Sequence, residues 1–128
     1  MSTMALEVHA NSRGDLAPDP ERDEVMLVVW CLADELLMEE GESKLGVVVL
    51  TKEGEDGEAH VEKIRKMLGA KVRIDAEDNE LDLLNRMVEI VRTYDPDILT
   101  GFEVHNGSWG YLIAVSYTHL TLPTTPYV

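Results

Sequence analysis

The chain has 128 residues, 45% of them apolar and 28% charged, which excludes a disordered or fibrous polymer and leaves room for a single domain. Its 25 Asp and Glu against 11 Lys and Arg give a net charge of −14, and such a surface repels phosphate, so it is not expected to hold nucleic acid tightly by itself. No apolar run reaches the ~18 residues needed to cross a bilayer, and one cysteine, Cys31, excludes a disulfide or cysteine-metal framework within the chain.

Met1 to Arg13 lack a basic start, an apolar core and a small-residue cleavage site, so an intracellular protein is expected. Met4, Leu6 and Val8 alternate with Ala5, Glu7 and His9, which predicts a first strand over 4–10. Residues 11–23, with Gly14, Pro18 and Pro20, carry turn chemistry. Val25 to Ala33 is an apolar, β-branched run suited to a strand covered on both faces, within which Cys31 packs as a small hydrophobe. After an acidic, glycine-punctuated connection over 36–44, Leu45 to Thr51 predicts a third strand, and the close spacing predicts an antiparallel meander. Glu53 to Glu58 is expected to be a solvated acidic loop, because its glycines lack the Lys-Ser/Thr ending of a phosphate loop.

A short helix is predicted over 60–68, with Val61, Ile64 and Leu68 on one face and His60 at the surface, followed by a short strand over 71–76. Leu81, Leu84, Met87, Val88, Val91 and Tyr94 recur at three- and four-residue steps, which predicts an amphipathic helix covering a sheet. Asp78 or Asn79 would cap it, Asp82 would pair with Arg86, and Pro96 would end it. A core strand is expected over 97–104, then a second helix through Trp109, Tyr111, Leu112 and Ile113. The sum is an α/β architecture of the ribonuclease H-like kind: a mixed sheet with flanking helices, incomplete at the C-terminus.

From Val115 the chain reads Val-Ser-Tyr-Thr-His-Leu-Thr-Leu-Pro-Thr-Thr-Pro-Tyr-Val, without charged residues. This resembles an in-frame translation of a sequencing-library adapter. Residues 114–128 are therefore expected to be a non-native tail, native sequence to end near Ile113, and His119 not to belong to a site.

Tyr94-Asp-Pro-Asp-Ile-Leu-Thr-Gly-Phe102 resembles the Asp-Pro-Asp strand of the exonuclease domain of family B DNA polymerases. Glu103 to Leu112, containing Ser-Trp-Gly-Tyr-Leu, is similar to the zeta-type branch, which has this sequence where proofreading relatives have Phe-Asp-x-x-Tyr-Leu. Leu6-Glu-Val-His9, the stretch from Asn11 to Pro20 and, more weakly, Val29-Trp-Cys-Leu32 agree. The likeness covers residues 4–113, with 34–71 adding little, and implies that 1–113 are a partial exonuclease-like domain.

A proofreading exonuclease works with two divalent metals about 4 Å apart, and hard cations need carboxylate oxygens. Carried over residue by residue, the resemblance puts Ala5-Leu6-Glu7 where the active family has Asp-x-Glu, and Ser108 where it has a second Asp. Ala5, Glu7 and Ser108 are thus read as degenerate exonuclease positions, with no catalytic, cofactor-binding or metal-binding residue in this chain. Glu7 with Glu103, His9 or His105 is the alternative metal site, with no further ligand at a dependable spacing. Trp109 is expected to pack in a core rather than to stack on a base.

The resemblance implies a nuclear translesion DNA-directed DNA polymerase as the whole protein, with this domain a non-proofreading structural platform and this chain catalytically inactive. It also implies template-primer DNA, deoxynucleotides, Mg2+ and a 4Fe-4S cluster, held by parts absent here, together with a HORMA-domain accessory subunit, small polymerase subunits and no membrane. The alternatives are an active 3′-to-5′ exonuclease domain of a replicative family B polymerase and a free-standing acidic interaction module.

Overall fold

The computed structural model describes residues 1–34, 44–51 and 56–120. The acidic connection up to residue 43, residues 53–55 of the expected acidic loop and the end of the tail, 121–128, fall outside them. In chain order the elements are β1 (Ser2–Ala10), β2 (Val25–Asp34), β3 (Lys44–Leu50), α1 (Gly57–Leu68), β4 (Arg73–Glu77), α2 (Glu80–Tyr94), β5 (Ile98–Thr100) and α3 (Trp109–Leu120). The strands form one mixed sheet in the order β4-β3-β2-β1-β5. β1, β2 and β3 pair antiparallel as the expected meander, while β4 adds parallel to β3 and β5 parallel to β1.

Strand alternation sorts the side chains onto two faces. Met4 and Leu6 of β1, Val28, Trp30 and Leu32 of β2, and Val48 and Leu50 of β3 lie buried on the inner face. That face is covered by α2, which packs across β3 and β4, and by α3, which packs over β1. The core closes with Leu83, Leu84, Met87 and Ile90 of α2 and with Tyr111, Leu112 and Val115 of α3. Register sets a large residue beside a small one here. Leu6 is opposite Trp30 and Trp30 opposite Gly46, so the indole lies where a side chain at 46 would stand. Trp30 also meets Tyr94, with ring centroids 5.4 Å apart.

The outer face carries Ala5, Glu7 and His9 beside Cys31, Val29 and Leu27. Among the described residues α1 lies over this side, with Ile64 and Met67 facing Val29, Val47 and Val49 across a groove. β2 is therefore not covered on both faces as expected: Leu27, Val29 and Cys31 are half-buried.

α1 starts earlier than the pattern implied. Asp56 caps it by accepting from the Glu58 amide, so Gly57 and Glu58 are helical. Asn79 is the cap of α2 and accepts from the Asp82 amide. The buried stripe of α2 differs from the expected one: Leu81 and Val88 are 49% and 48% exposed, whereas Leu83 and Ile90 are fully buried. The helix turns its 83-84-87-90 face down because the sheet lies there, and Val91 and Tyr94 pack at that face's margin. Arg86 does not take Asp82 as its partner. Its Nε reaches Glu77 at 2.8 Å and Asp75 at 3.9 Å on β4, and Nη1 reaches Glu89 at 3.3 Å, while Asp82 is held by Asn79 Nδ2. α3 begins at Trp109 and runs without a break across Ile113 and Ala114 to Leu120, with Val115 fully buried.

Candidate functional site

The Asp-Pro-Asp segment builds the floor of the site. Asp95 ends α2 in a left-handed conformation, φ 43°, which Asp tolerates better than most residues, and its amide still bonds Val91 O. Pro96 prevents further helix. Asp97 then fastens the start of β5 to the start of β1: its Oδ2 accepts from the Ser2 amide at 2.8 Å and from Ser2 Oγ at 3.3 Å, and its own amide donates to Ser2 O at 3.0 Å. The Ser2 amide, followed by its hydroxyl, holds the Asp97 carboxyl below its usual pKa.

With β5 so placed, Thr100 lies opposite Ala5, and the chain leaves the sheet at Gly101. A Cβ on Gly101 would collide with Ser108 Oγ and stand 2.7 Å from Leu6 O, so only glycine allows β5, β1 and the start of α3 to meet this closely. The turn that follows contains Glu103 in a left-handed conformation, φ 49°, with the Asn106 and Gly107 amides bonded to its carbonyl.

The three positions carried over from the family's proofreading geometry converge here. Ala5 presents a half-buried methyl on the outer face. Glu7, two residues on and on the same face, accepts from the Phe102 amide through Oε1 at 3.0 Å. Ser108 is 0% exposed, and its hydroxyl donates to Leu6 O at 2.6 Å. Trp109 is 9% exposed and donates from Nε1 to Thr100 O at 2.9 Å, so the indole packs in the core as expected and is not presented to a base.

A pair of hard divalent cations needs several carboxylate oxygens around a common space. The residues present do not fit that group. Position 5 has no ligand atom, the buried hydroxyl at 108 is committed to a backbone carbonyl, and Glu7 is the one carboxylate of the three. The alternative set does not assemble either. Glu103 and His105 line a separate hollow of about 520 Å³ with Val8, Pro18 and Tyr111, whereas Glu7 and His9 belong to the opposite face of β1 from Val8. Among the described residues no three His, Cys, Asp or Glu come together as a metal site.

Sequence reasoning singled out Ala5, Glu7 and Ser108 through the resemblance. It did not find the Leu6 carbonyl, the Phe102 amide or the role of Gly101. The one available signal was the glycine directly after an apolar strand run, a common mark of close backbone approach. His119, set aside in the sequence, lies on α3 with Nε2 2.8 Å from Glu80 Oε1, and Glu80 Oε2 accepts from the Val25 amide at 2.7 Å. No helix among the described residues is long and apolar enough to cross a membrane.

Comparison with known proteins gives matches along most of the chain. The family profile described as DNA polymerase family B, exonuclease domain, matches residues 1–121. The chain is 35% identical over 114 residues to the DNA polymerase zeta catalytic subunit of Saccharomyces cerevisiae, covering 88% of this chain and 7% of that protein. It is 30% identical over 122 residues to the DNA polymerase zeta catalytic subunit of Homo sapiens, covering 88% and 4%. The corresponding figures for Schizosaccharomyces pombe are 32% over 110 residues, 86% and 7%. The chain thus spans 4 to 7% of the length of these relatives.

Proposed function

We propose, from the premise that this chain belongs to the exonuclease-domain family of the family B DNA polymerases, that it serves a zeta-type translesion DNA polymerase as a non-proofreading structural platform. The observation that carries this reading is the Ser108 hydroxyl, fully buried and spent on Leu6 O where a metal-binding carboxylate would be required. Phosphodiester hydrolysis in such a domain depends on cations that activate water and steady the leaving oxygen. Glu7 alone, already accepting from the Phe102 amide, supplies too little negative charge to hold two of them. The net charge of −14 supports the same reading, since an acidic surface is a poor grip for a DNA strand.

On this proposal polymerase activity, template-primer DNA, deoxynucleotides, Mg2+ and a 4Fe-4S cluster belong to parts of the polymerase outside this chain. The HORMA-domain accessory subunit, the small polymerase subunits and the nuclear location belong to the same proposal. Residues 1–113 are proposed as the domain and 114–128 as a non-native tail, on the tail's composition. An apolar residue at 115 falls four positions after Tyr111 on the same helix face and packs there whatever its origin.

The test is a 5′-labelled single-stranded oligonucleotide incubated with the purified chain and Mg2+ or Mn2+. No shortening is expected. Metal-dependent shortening that Glu7→Gln abolishes would overturn the proposal and favour an active exonuclease.

A further inference from the structure

The same three elements are tied to one another in a closed circuit. Leu6 O of β1 accepts from Ser108 Oγ just before α3, Trp109 Nε1 of α3 donates to Thr100 O of β5, and the Phe102 amide after β5 donates back to Glu7 of β1. Two of these bonds join parts of the chain distant in sequence, Ser108 and Leu6 being 102 positions apart and Phe102 and Glu7 95, while the Trp109–Thr100 bond spans nine. The Ser108–Leu6 bond is buried and the Trp109–Thr100 bond part-buried, so water competes little for their partners, whereas the Glu7–Phe102 bond is exposed to solvent.

We infer that Glu7 and Ser108 form a structural latch that closes the β1-β5-α3 junction, so that the space a metal centre would need is taken up and returning the carboxylates does not return the centre. This rests on the proposed non-proofreading reading and goes beyond it: the site is not merely short of ligands but has been rebuilt around other bonds. Gly101 shows how little room remains, because even a Cβ there would strike Ser108 Oγ. An aspartate at 108 is longer than serine and acceptor-only. In the serine's place its carboxylate would face Leu6 O with no proton between the two oxygens. It must either push Gly101 away or leave the Leu6 carbonyl unbonded. The bond at Glu7 differs in kind, since it needs an acceptor and not a charge, and Glu7→Gln retains one.

The experiment compares the full chain with Ser108→Ala, Ser108→Asp, Ala5→Asp/Ser108→Asp, Glu7→Gln and Glu7→Ala. Thermal midpoints, hydrogen exchange at the Phe102 amide, Mn2+ binding by electron paramagnetic resonance and oligonucleotide shortening are recorded. Ser108→Ala is expected to lower the midpoint by roughly 4 to 12 °C, the usual effect of losing one buried hydrogen bond in a chain of this size, and Ser108→Asp by at least as much. The double variant is expected to bind no Mn2+ at the site. Glu7→Ala is expected to speed exchange at Phe102 at least tenfold while Glu7→Gln leaves it within about threefold, a pattern that requires no variant to be fully stable.

A double variant that binds Mn2+ with an unlowered midpoint would overturn the latch while leaving the proposed function of the natural chain intact. Unchanged exchange at Phe102 in Glu7→Ala would also overturn it. Metal-dependent shortening by the natural chain would instead overturn the non-proofreading reading. Should the double variant fail to fold, the contrast between the two Glu7 variants decides the question.

Discussion

Tyr111→Phe tests whether the 11–24 segment is pinned to the core through a single phenol. Tyr111 is 3% exposed, and its hydroxyl donates to Asp23 O at 2.6 Å; Asp23 is itself 5% exposed. The Asp23 carboxylate is occupied on the other side, accepting from the Asp19 amide at 2.8 Å and from Arg13 Nε at 3.4 Å. Removing the hydroxyl keeps the ring and its apolar contacts but leaves a buried carbonyl without this donor, which costs about 1 to 3 kcal/mol. At about 4 °C per kcal/mol for a chain of this size, the midpoint should fall by roughly 4 to 12 °C. Burial, and then the nearby Asp23, Glu80 and Asp19, push the Tyr111 phenol up to about 12.

A pKa raised on folding contributes stability that is whole below the unfolded value of about 10 and is lost as pH climbs from there through the folded value. The gap between the natural chain and Tyr111→Phe should therefore be constant up to pH 10 and shrink above it. The assay is thermal unfolding by circular dichroism from pH 7 to 11.5. Equal midpoints at pH 7, or a gap that does not narrow at high pH, would show that the phenol is not the anchor.

Gly46→Ala places a methyl in the Trp30 ring and is expected to destabilise by about 1 to 3 kcal/mol, read as a lower guanidinium midpoint. Combining it with Trp30→Phe should recover part of the loss, because Trp30 Nε1 has no hydrogen-bond partner among the described residues and its removal breaks no such bond; additive losses in the double-mutant cycle would contradict the packing argument. Asp97→Ala unfastens β5 from Ser2. Since the Asp97 pKa is lowered in the fold, its contribution is present above the ordinary carboxylate value of about 3.9 and lost as pH falls through the folded value, so the gap between the variant and the natural chain should be full at pH 7 and narrow as pH falls below about 3.9. A gap that does not narrow in acid would point to a cause other than the carboxylate.

Much of the architecture could be read locally. The alternation of Met4, Leu6 and Val8, the β-branched runs of β2 and β3, and the capped apolar period of α2 each depend on neighbours within a few residues, and strands and helices impose those periods whatever they later pack against. The helix stop at Pro96 was equally legible, because a proline acts on the residues beside it, but the fastening of Asp97 to Ser2 spans 95 positions and was not. The aligned positions Ala5, Glu7 and Ser108 followed from the resemblance, and the structure brings them to one junction.

Other features were set by the assembled sheet. Which side of α2 faces inward was decided by the strands beneath it, so Leu83 and Ile90 are buried and Leu81 and Val88 are not, although all four are apolar. Arg86 turned from Asp82 on its own helix to Glu77 on β4, which became adjacent only when the sheet closed. The Ser108 hydroxyl and the Leu6 carbonyl are ordinary groups in the sequence, and neither reveals the other across 102 positions. Local pattern determined which segments became strands and helices; the packing of those segments decided which polar atoms met, because a hydrogen bond depends on positions within a few tenths of an ångström that chain periodicity does not encode.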